Sequence, residues 1–289
     1  MSRKNIVYCG DNLPILRRMA DGVIDLIYID PPFNTGKRQT RTQVKVSRST
    51  KGDRKGFNGQ KYKTIELGTK DYLDIYDDYR GFLTPRLEEA YRVLSPTGTM
   101  YFHIDYREVH YCKILLDQLF GRDSFLNEII WAYDYGGKPK NKWPPKHDNI
   151  LMYVKDPRNY TFNVEDIDRI PYMAPGLVGP EKAAKGKLPT DTWWHTIVPT
   201  MGKEKTGYPT QKPRALLDRM IRASSDPGDL VLDFFAGSGT TGESCLMLNR
   251  RFILIDNSEQ AMQVMAQRFS AERNIEWVGF NPVPYQVKK

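Results

Sequence analysis

Two short stretches of the sequence hold residue types that could do chemistry, and the first is DPPF at 30–33, which follows the apolar run VIDLIYI. Proline fixes φ and has no N–H, so this strand end is stiff and its carbonyl groups point in set directions. Asp30 and those carbonyls can accept both protons of an exocyclic amine, while Phe33 stacks on the flat ring that carries it. Because Asp-Pro also occurs in ordinary turns, the tetrapeptide alone is weak evidence.

The second stretch is VLDFFAGSGTT at 231–241, an apolar strand that ends in Asp233 and enters a glycine turn before a helix. Glycine allows positive φ and a close approach of backbone to a ligand. A later strand, FILID, ends in Asp256, and an acid at this distance is suited to accept hydrogen bonds from ribose hydroxyls. The missing GK[ST] excludes an ATP-hydrolysing P-loop. The pattern predicts a nucleoside-binding crevice.

The elements that must position these residues alternate between strands and helices. Strands are predicted at 5–11, 23–30, 99–104, 125–133, 148–154, 230–233 and 251–256, and helices at 12–19, 80–94, 107–120, 210–226, 242–250 and 258–270. Such alternation is typical of a doubly wound, mostly parallel α/β sheet, here with seven strands. Residues 34–70 show no sustained period and are predicted to form a long mobile loop. Residues 156–207, rich in Pro, Gly and aromatic residues, are predicted to be an inserted subdomain with Trp193 and Trp194 in its core.

The positive charge of the chain is concentrated in one segment. The whole chain carries +8, but residues 37–63 hold ten Lys or Arg and one acid. A polyanion close to the DPPF corner is the natural partner, although charged runs are more often solvated surface loops. The segment therefore favours nucleic acid as a partner, with phosphate contacts predicted for Lys37, Arg38, Arg41, Lys45, Arg48, Lys51, Arg54 and Lys55.

Cysteine spacing and hydropathy exclude several other classes of protein. The three cysteines are far apart and form no CxxC pair, which argues against a zinc module or a disulfide framework and fits a reducing compartment. No apolar run is long enough to span a membrane, and the N-terminus has no secretory signal. These features predict a protein of a reducing compartment that makes no membrane contact.

Taken together, the two stretches resemble the amino-group DNA methyltransferases that use S-adenosylmethionine. DPPF resembles their catalytic motif IV, FAGSGTT at 235–241 their motif I, YPTQKP at 208–213 their motif X, and Gly10-Asp11 their motif III. The catalytic motif precedes motif I, which is the order of the β class, whose methyltransferase fold is permuted in sequence. Phe33 stands where Tyr is commoner, and Phe234 stands where Pro is frequent.

The resemblance implies a role for each matching residue. The catalytic set is Asp30, Pro31, Pro32 and Phe33. The residues that bind S-adenosylmethionine are Asp11, Thr210, Gln211, Lys212, Asp233, Phe235, Ala236, Gly237, Ser238, Gly239, Thr240, Thr241 and Asp256. The implied organisation is a catalytic half at 1–155, a target-recognition insertion at 156–207 and a cofactor-binding half at 208–289.

The resemblance also implies the reaction, which is methyl transfer to adenine N6 in double-stranded DNA. The base would flip out of the stack, stack on Phe33, and attack the methyl group directly while Asp30 and the Pro31 carbonyl hold its amino group. Asp30 favours adenine, since the cytosine-N4 enzymes usually carry Ser-Pro-Pro-Tyr. A cytosine-N4 enzyme, an RNA or protein-glutamine methyltransferase, and a nucleic-acid binding module without activity remain as alternatives. A separate restriction endonuclease and a monomer or homodimer are compatible with the family. That the protein is metal-free, cytoplasmic, of bacterial type and associated with the nucleoid is a further expectation from the family resemblance.

Overall fold

The computed structural model describes residues 4–50, 53–55, 61–199 and 202–282. The chain divides into two compact units. One comprises Met1–Pro31 together with Arg80–Lys289, and the other comprises Pro32–Tyr79.

The first unit is built on a nine-stranded sheet, counted over the described residues. Its strands in chain order are β1 (Asn5–Cys9), β2 (Ile24–Ile29), β6 (Leu94–Ile104), β7 (Phe125–Ala132), β8 (His147–Val154), β9 (Thr192–Trp194), β10 (Leu230–Asp233), β11 (Arg251–Asp256) and β12 (Ile275–Val278). Their order across the sheet is β12-β1-β11-β10-β2-β6-β8-β7-β9. Every neighbouring pair is parallel except the two that β8 makes. The predicted doubly wound, mostly parallel α/β sheet is therefore confirmed.

Seven α-helices accompany the strands in the described part of the chain. They are α1 (Asn12–Leu16), α2 (Tyr79–Val93), α3 (Val109–Phe120), α4 (Pro180–Lys185), α5 (Arg214–Ser224), α6 (Thr240–Met247) and α7 (Glu259–Arg268). Leu26 and Tyr28 of β2 pack in one apolar cluster with side chains of α5, α6 and α7. Ile27 and Ile29, which alternate with them, are also completely buried. Burial on both faces explains why this strand is a continuous apolar run.

The predicted count of seven strands is too low, because the sheet gains a short strand at each edge. β12 pairs with β1 over four residues, and β9 pairs with β7 over three. Strands this short carry no recognisable period, so their pairing depends on the neighbouring strand more than on their own sequence. β9 brings part of residues 156–207 into the main sheet. Trp193 is buried, but in the apolar cluster of the main sheet and not in a separate subdomain core. Trp194 is 77% exposed, so its assignment to a core is wrong.

The second unit is an antiparallel sheet, which corrects the prediction of a structureless loop over 34–70. Its strands are β3 (Lys37–Arg48), β4 (Arg54–Lys55) and β5 (Lys61–Asp74), in the order β3-β5-β4. The root of this β-ribbon is fixed by the buried Asp74 carboxylate, which accepts the N–H of Asn34 at 2.9 Å and the N–H and hydroxyl of Thr35 at 3.1 and 2.6 Å. Backbone pairing between β3 and β5 satisfies the polar groups that a loop would leave to water.

None of the described helices is long and apolar enough to cross a membrane.

Candidate active site

Four aspartates lie at the carboxyl ends of four neighbouring parallel strands. Asp11 lies just beyond β1, Asp256 ends β11, Asp233 ends β10, and Asp30 directly follows β2. The strand order β1-β11-β10-β2 places them in this sequence along one edge of the sheet. Chain segments some two hundred residues apart thus meet on adjacent strands about 4.8 Å apart. In an open α/β sheet, this edge is where ligands bind.

Asp30 is held by one cation and keeps one oxygen without a partner. Its Oδ2 forms an ion pair with the Lys212 ammonium, and both side chains are largely buried. Its Oδ1 is buried, and no described residue donates a hydrogen bond to it. A buried acceptor of this kind is costly unless a ligand supplies the donor. Pro31, which follows, is also buried.

Asp233 holds the start of the glycine turn. Its Oδ1 accepts the N–H of Phe235 at 3.0 Å, and its Oδ2 accepts the Thr241 hydroxyl at 2.6 Å. Burial raises the pKa of Asp233 to about 7. The neighbouring charges of Asp30 and Asp256 act in the same direction, and the two hydrogen bonds oppose them. With both oxygens engaged, the carboxyl positions the turn instead of facing a ligand.

The raised pKa of Asp233 predicts a specific pH dependence of stability. The pKa of this carboxyl is higher in the folded protein than in the unfolded chain. Below the unfolded pKa, near 4, the shift does not affect the free energy of unfolding, and as pH rises from there to about 7 it destabilises the fold increasingly. Asp233→Asn keeps an acceptor for Phe235 and an amide donor for Thr241 without the charge. Between pH 5 and 8, unfolding free energy should therefore fall by roughly 3 kcal/mol more in wild type than in this variant. Urea melts at both pH values measure it, and parallel changes in the two proteins would refute the assignment.

Asp256 closes the other side of the turn. Its Oδ2 accepts the N–H of Gly237 at 2.7 Å, and its Oδ1 accepts the N–H of Ser258 at 2.8 Å. Burial raises the pKa of Asp256, while these backbone N–H donors oppose the shift. A carboxylate has about four acceptor positions, so lone pairs remain for a ligand hydroxyl.

Asp11 caps α1 and remains accessible. Its Oδ1 accepts the N–H of Leu13 at 3.2 Å and a guanidinium N–H of Arg86 at 2.9 Å. The Asp11 side chain is 56% exposed, whereas Arg86 is largely buried against the Phe82 ring. Arg86 was not among the predicted site residues. An i, i+4 Phe-Arg pair on a helix is too common to have identified it from sequence.

The glycine turn itself has the backbone geometry that the sequence predicted. Gly237 and Gly239 both have positive φ, 51° and 73°. A Cβ on Gly237 would lie 3.1 Å from the Tyr208 ring, and one on Gly239 would lie 2.7 Å from Met265 Cγ. Tyr208 begins the YPTQKP segment, so the turn and that segment are in contact.

The YPTQKP segment positions Lys212. The side-chain oxygen of Gln211 accepts the N–H and hydroxyl of Thr206, each at 2.9 Å, and its side-chain amide nitrogen donates to the Glu204 backbone oxygen at 2.6 Å. The Thr240 hydroxyl, which also contacts Ser238, donates to the backbone oxygen of Lys212 at 3.3 Å. The buried Gln211 side chain is thus engaged inside its own loop, and Lys212 extends from that loop to Asp30.

The other predicted residues fall into three groups. Ala236 lies within the turn, and its N–H donates to the backbone oxygen of Ile255 at 3.1 Å. Thr210, which precedes Gln211, is exposed. Pro32 and Phe33 begin the second unit, where the Pro32 carbonyl accepts the Tyr79 hydroxyl at 2.5 Å. Of the predicted phosphate contacts, Lys37, Arg38, Arg41, Lys45 and Arg48 are in β3, Arg54 and Lys55 form β4, and Lys51 lies outside the described residues.

A buried polar network beside Asp30 was not anticipated. The Tyr28 hydroxyl lies 2.9 Å from His103 Nδ1, and His103 Nε2 lies 3.2 Å from Asp148 Oδ2. The Tyr133 hydroxyl donates to the other Asp148 oxygen at 3.0 Å. Burial raises the pKa of Tyr28, so its hydroxyl stays neutral. His103 lies near the end of β6 and Asp148 near the start of β8, and only the antiparallel pairing of these strands brings them together.

The described residues fit S-adenosylmethionine. The carboxylates at the strand ends suit a ligand with cationic and hydroxyl groups, since they accept hydrogen bonds and attract positive charge. Asp11 is accessible, and Asp256 keeps free lone pairs beside a turn whose glycines bring the backbone close. No group of His, Cys, Asp and Glu in the described part of the chain could hold a metal ion.

Comparison with known proteins gives one family. The model of a family described as DNA methylase, covering N6 and N4 enzymes, matches residues 24–268. The type II methyltransferase M.HpaI of Haemophilus parainfluenzae is 34% identical over 281 residues, covering 97% of this chain and 78% of that protein. The DNA adenine methyltransferase YhdJ of Escherichia coli K12 is 31% identical, covering 93% of this chain and 85% of that protein.

A solved structure shares the fold. TTHA0409 of Thermus thermophilus, a putative DNA modification methylase complexed with S-adenosyl-L-methionine, superposes with a TM-score of 0.57. The two proteins are 20% identical, and the match covers 95% of this chain and 99% of the other.

Proposed function

The chain belongs to the DNA methylase family, and from this membership we propose that it transfers the methyl group of S-adenosylmethionine to N6 of adenine in double-stranded DNA. The observation that carries the proposal is the adjacency of β2 and β10, which places the Asp30 corner beside the glycine turn. The two relatives named above that exceed 30% identity are both methyltransferases, and one is named as an adenine enzyme.

Asp30 and Pro31 would hold the amine. The buried Oδ1 of Asp30 accepts one N–H of the exocyclic amino group, and the backbone carbonyl of Pro31 accepts the other. Lys212 keeps the Asp30 side chain in one orientation through Oδ2. Two preset acceptors raise the electron density on the nitrogen and direct its lone pair, so catalysis comes from positioning and polar preorganisation. The stacking role of Phe33 stays a prediction.

The cofactor supplies the electrophilic methyl group when it is bound. Asp11 and Asp256 would accept hydrogen bonds from its polar donors, and residues 235–241 would face it with their backbone. Asp233 and Gln211 would support the site indirectly, because their side chains are engaged with the protein. The proposal therefore separates residues that contact the cofactor from residues that support the site, whereas the resemblance implied a single cofactor-binding set.

DNA contacts are proposed from charge. The basic residues of β3 and β4 would contact phosphates, which gives affinity that depends on salt and carries no sequence information. Base reading would fall to residues 156–207. A restriction endonuclease that shares the recognition site, association with the nucleoid, and a monomeric or dimeric state also stay predictions.

The proposed function is tested by identifying the methylated nucleoside. Purified protein is incubated with methyl-labelled S-adenosylmethionine and unmethylated genomic DNA, and the DNA is then digested to nucleosides. We expect label in N6-methyl-2′-deoxyadenosine, with no labelled nucleoside when DNA is replaced by RNA. Label in N4-methyl-2′-deoxycytidine would overturn the choice of base, and no transfer to DNA would overturn the proposal.

A further inference from the structure

The loop that joins β7 to β8, residues 133–146, carries the most exposed aromatic side chain described. We call it the Trp143 loop. Trp143 is 92% exposed, whereas Trp131 and Trp193 nearby are almost completely buried. A single exposed apolar residue needs no explanation by itself. This one is unusual in its surroundings, which are cationic, stiff and located at the active-site edge.

The charge of the Trp143 loop suits a polyanion. It has four lysines and one acid, Asp134. Lys138, Lys140 and Lys142 are exposed, and no salt bridge between described residues includes them. Cations interleaved with an exposed aromatic ring combine attraction to phosphate with a surface on which a base can stack.

The loop holds Trp143 on a stiff support. Pro144 and Pro145 follow it directly, and a residue before proline is restricted to extended conformations. The Lys146 ammonium donates to the backbone oxygens of Tyr135 at 2.6 Å and Gly136 at 3.0 Å, which ties the two arms of the loop together. Little conformational entropy is therefore left to lose when the ring meets a ligand.

The loop emerges at the edge where the reaction takes place. β8 runs antiparallel to β6, and β6 runs parallel to β2, so β8 begins at the end of the sheet where Asp30 lies. From strand spacing, the base of the loop lies about 10 Å beyond Asp30 along the strands and about 10 Å across them. The hydrogen-bonded network of Tyr28, His103, Asp148 and Tyr133 connects β2 to this base.

We propose that Trp143 is the side chain that enters the DNA base stack and occupies the space left by the flipped adenine, while the loop lysines bind the flanking phosphates. The inference rests on the proposed function and names the residue that makes a buried base accessible. Apolar side chains that unstack bases are a general means of deforming a duplex. Filling the vacated space lowers the cost of extruding the base.

The first test compares Trp143→Ala with wild type on two synthetic duplexes that contain the adenine methylated in genomic DNA. In one duplex the target adenine is paired, and in the other it lies opposite an abasic position. On the paired duplex, single-turnover methyl transfer should fall about 30-fold, the loss expected when one stacking aromatic is removed. On the abasic duplex, where no pairing resists extrusion, most of the loss should disappear.

Three controls make the result specific. Trp143→Phe keeps a stacking ring and should retain most of the activity. Met247→Ala removes another exposed large apolar side chain, at the end of α6 just before β11 and so at the opposite end of the sheet, and should behave as wild type. Cofactor affinity measured by calorimetry should be unchanged in all three variants. An equal loss on both duplexes, or no loss on either, would overturn the insertion of Trp143. Failure of wild type on every DNA would instead overturn the proposed function.

The second test concerns the lysines of the Trp143 loop. Replacing all three of Lys138, Lys140 and Lys142 by Ser should make the negative slope of log affinity against log salt concentration shallower by about 2.7, since each phosphate contact contributes about 0.9 to its magnitude. A slope equal to that of wild type would show that the loop does not lie on the duplex. The Trp143→Ala variant should keep the wild-type slope.

Discussion

Replacing Asp30 with Ala should lower single-turnover methyl transfer by about 10³-fold or more, the scale of effect seen when a preorganised polar group at a reacting centre is removed. The variant loses the buried Oδ1 acceptor for the amine and the oxygen that orients Lys212. Transfer of labelled methyl groups to genomic DNA measures the loss. Cofactor affinity, measured by calorimetry, should change little, because Asp11, Asp256 and the glycine turn are untouched.

Asp30→Asn is the matched control for shape. Its amide keeps one oxygen acceptor and nearly the same volume but has no negative charge for Lys212. We expect activity between wild type and the Ala variant. In both variants the Lys212 ammonium still has the Asp148 carboxylate as a neighbouring negative charge. The charge of Lys212 is one of the influences that lower the pKa of the Asp148 carboxyl. Both variants should therefore remain folded, which circular dichroism verifies. Wild-type turnover in Asp30→Ala would show that the catalytic site lies elsewhere.

The same substitutions provide a second readout inside the protein. The charge of Asp30 is one of the influences that raise the pKa of Asp233. Its removal should lower that pKa and weaken the loss of stability between pH 5 and 8. This effect does not require DNA or cofactor, so it tests the geometry of the strand ends independently of the reaction.

The strand ends of the site were predictable from sequence, but their order across the sheet was not. The apolar runs before Asp30, Asp233 and Asp256 have the composition of strands buried on both faces, and each ends in an acid. Local pattern says nothing about which strands pair. The resemblance to a permuted family implied only that the DPPF corner and the glycine turn share one site, and the adjacency of β2 and β10 is known from the structure.

The sequence of β3 contains the alternating pattern of a strand. In β3, Thr40, Thr42, Val44 and Val46 alternate with polar or charged residues, which is the period of a strand. The high density of Lys and Arg in the same segment made a solvated loop the more obvious interpretation. Because strand pairing satisfies the backbone, a charged sequence can form a ribbon without a large apolar core of its own.

Lys212 illustrates the limit of residue-by-residue transfer from a family. The resemblance placed it among the cofactor-binding residues, whereas the structure pairs it with Asp30. The two residues are 182 positions apart, and nothing in either local sequence indicates the contact. An ion pair between the catalytic corner and the YPTQKP segment means that the two halves of the site influence each other through charge as well as through packing.

Replacing Gly239 with Ala should weaken cofactor binding by about 100-fold or more, which corresponds to about 3 kcal/mol. Gly239 has φ of 73°, a conformation that costs an L-residue roughly 1–2 kcal/mol. In addition, the new Cβ would lie 2.7 Å from Met265 Cγ and 3.2 Å from Phe269 Cε2. Met265 is completely buried and belongs to α7, so either the turn or the helix must move.

Gly228→Ala separates the two contributions to that loss. Gly228 also has positive φ, 93°, but a Cβ there would meet no described atom within 4 Å. It precedes β10, at the opposite end of the strand from the glycine turn. This variant should therefore lose only the backbone contribution to stability and bind the cofactor as wild type does. Calorimetric titration and thermal melting of both variants measure the difference. Equal cofactor affinity in Gly239→Ala and Gly228→Ala would show that the space around Gly239 is irrelevant, and that residues 235–241 do not form the cofactor site.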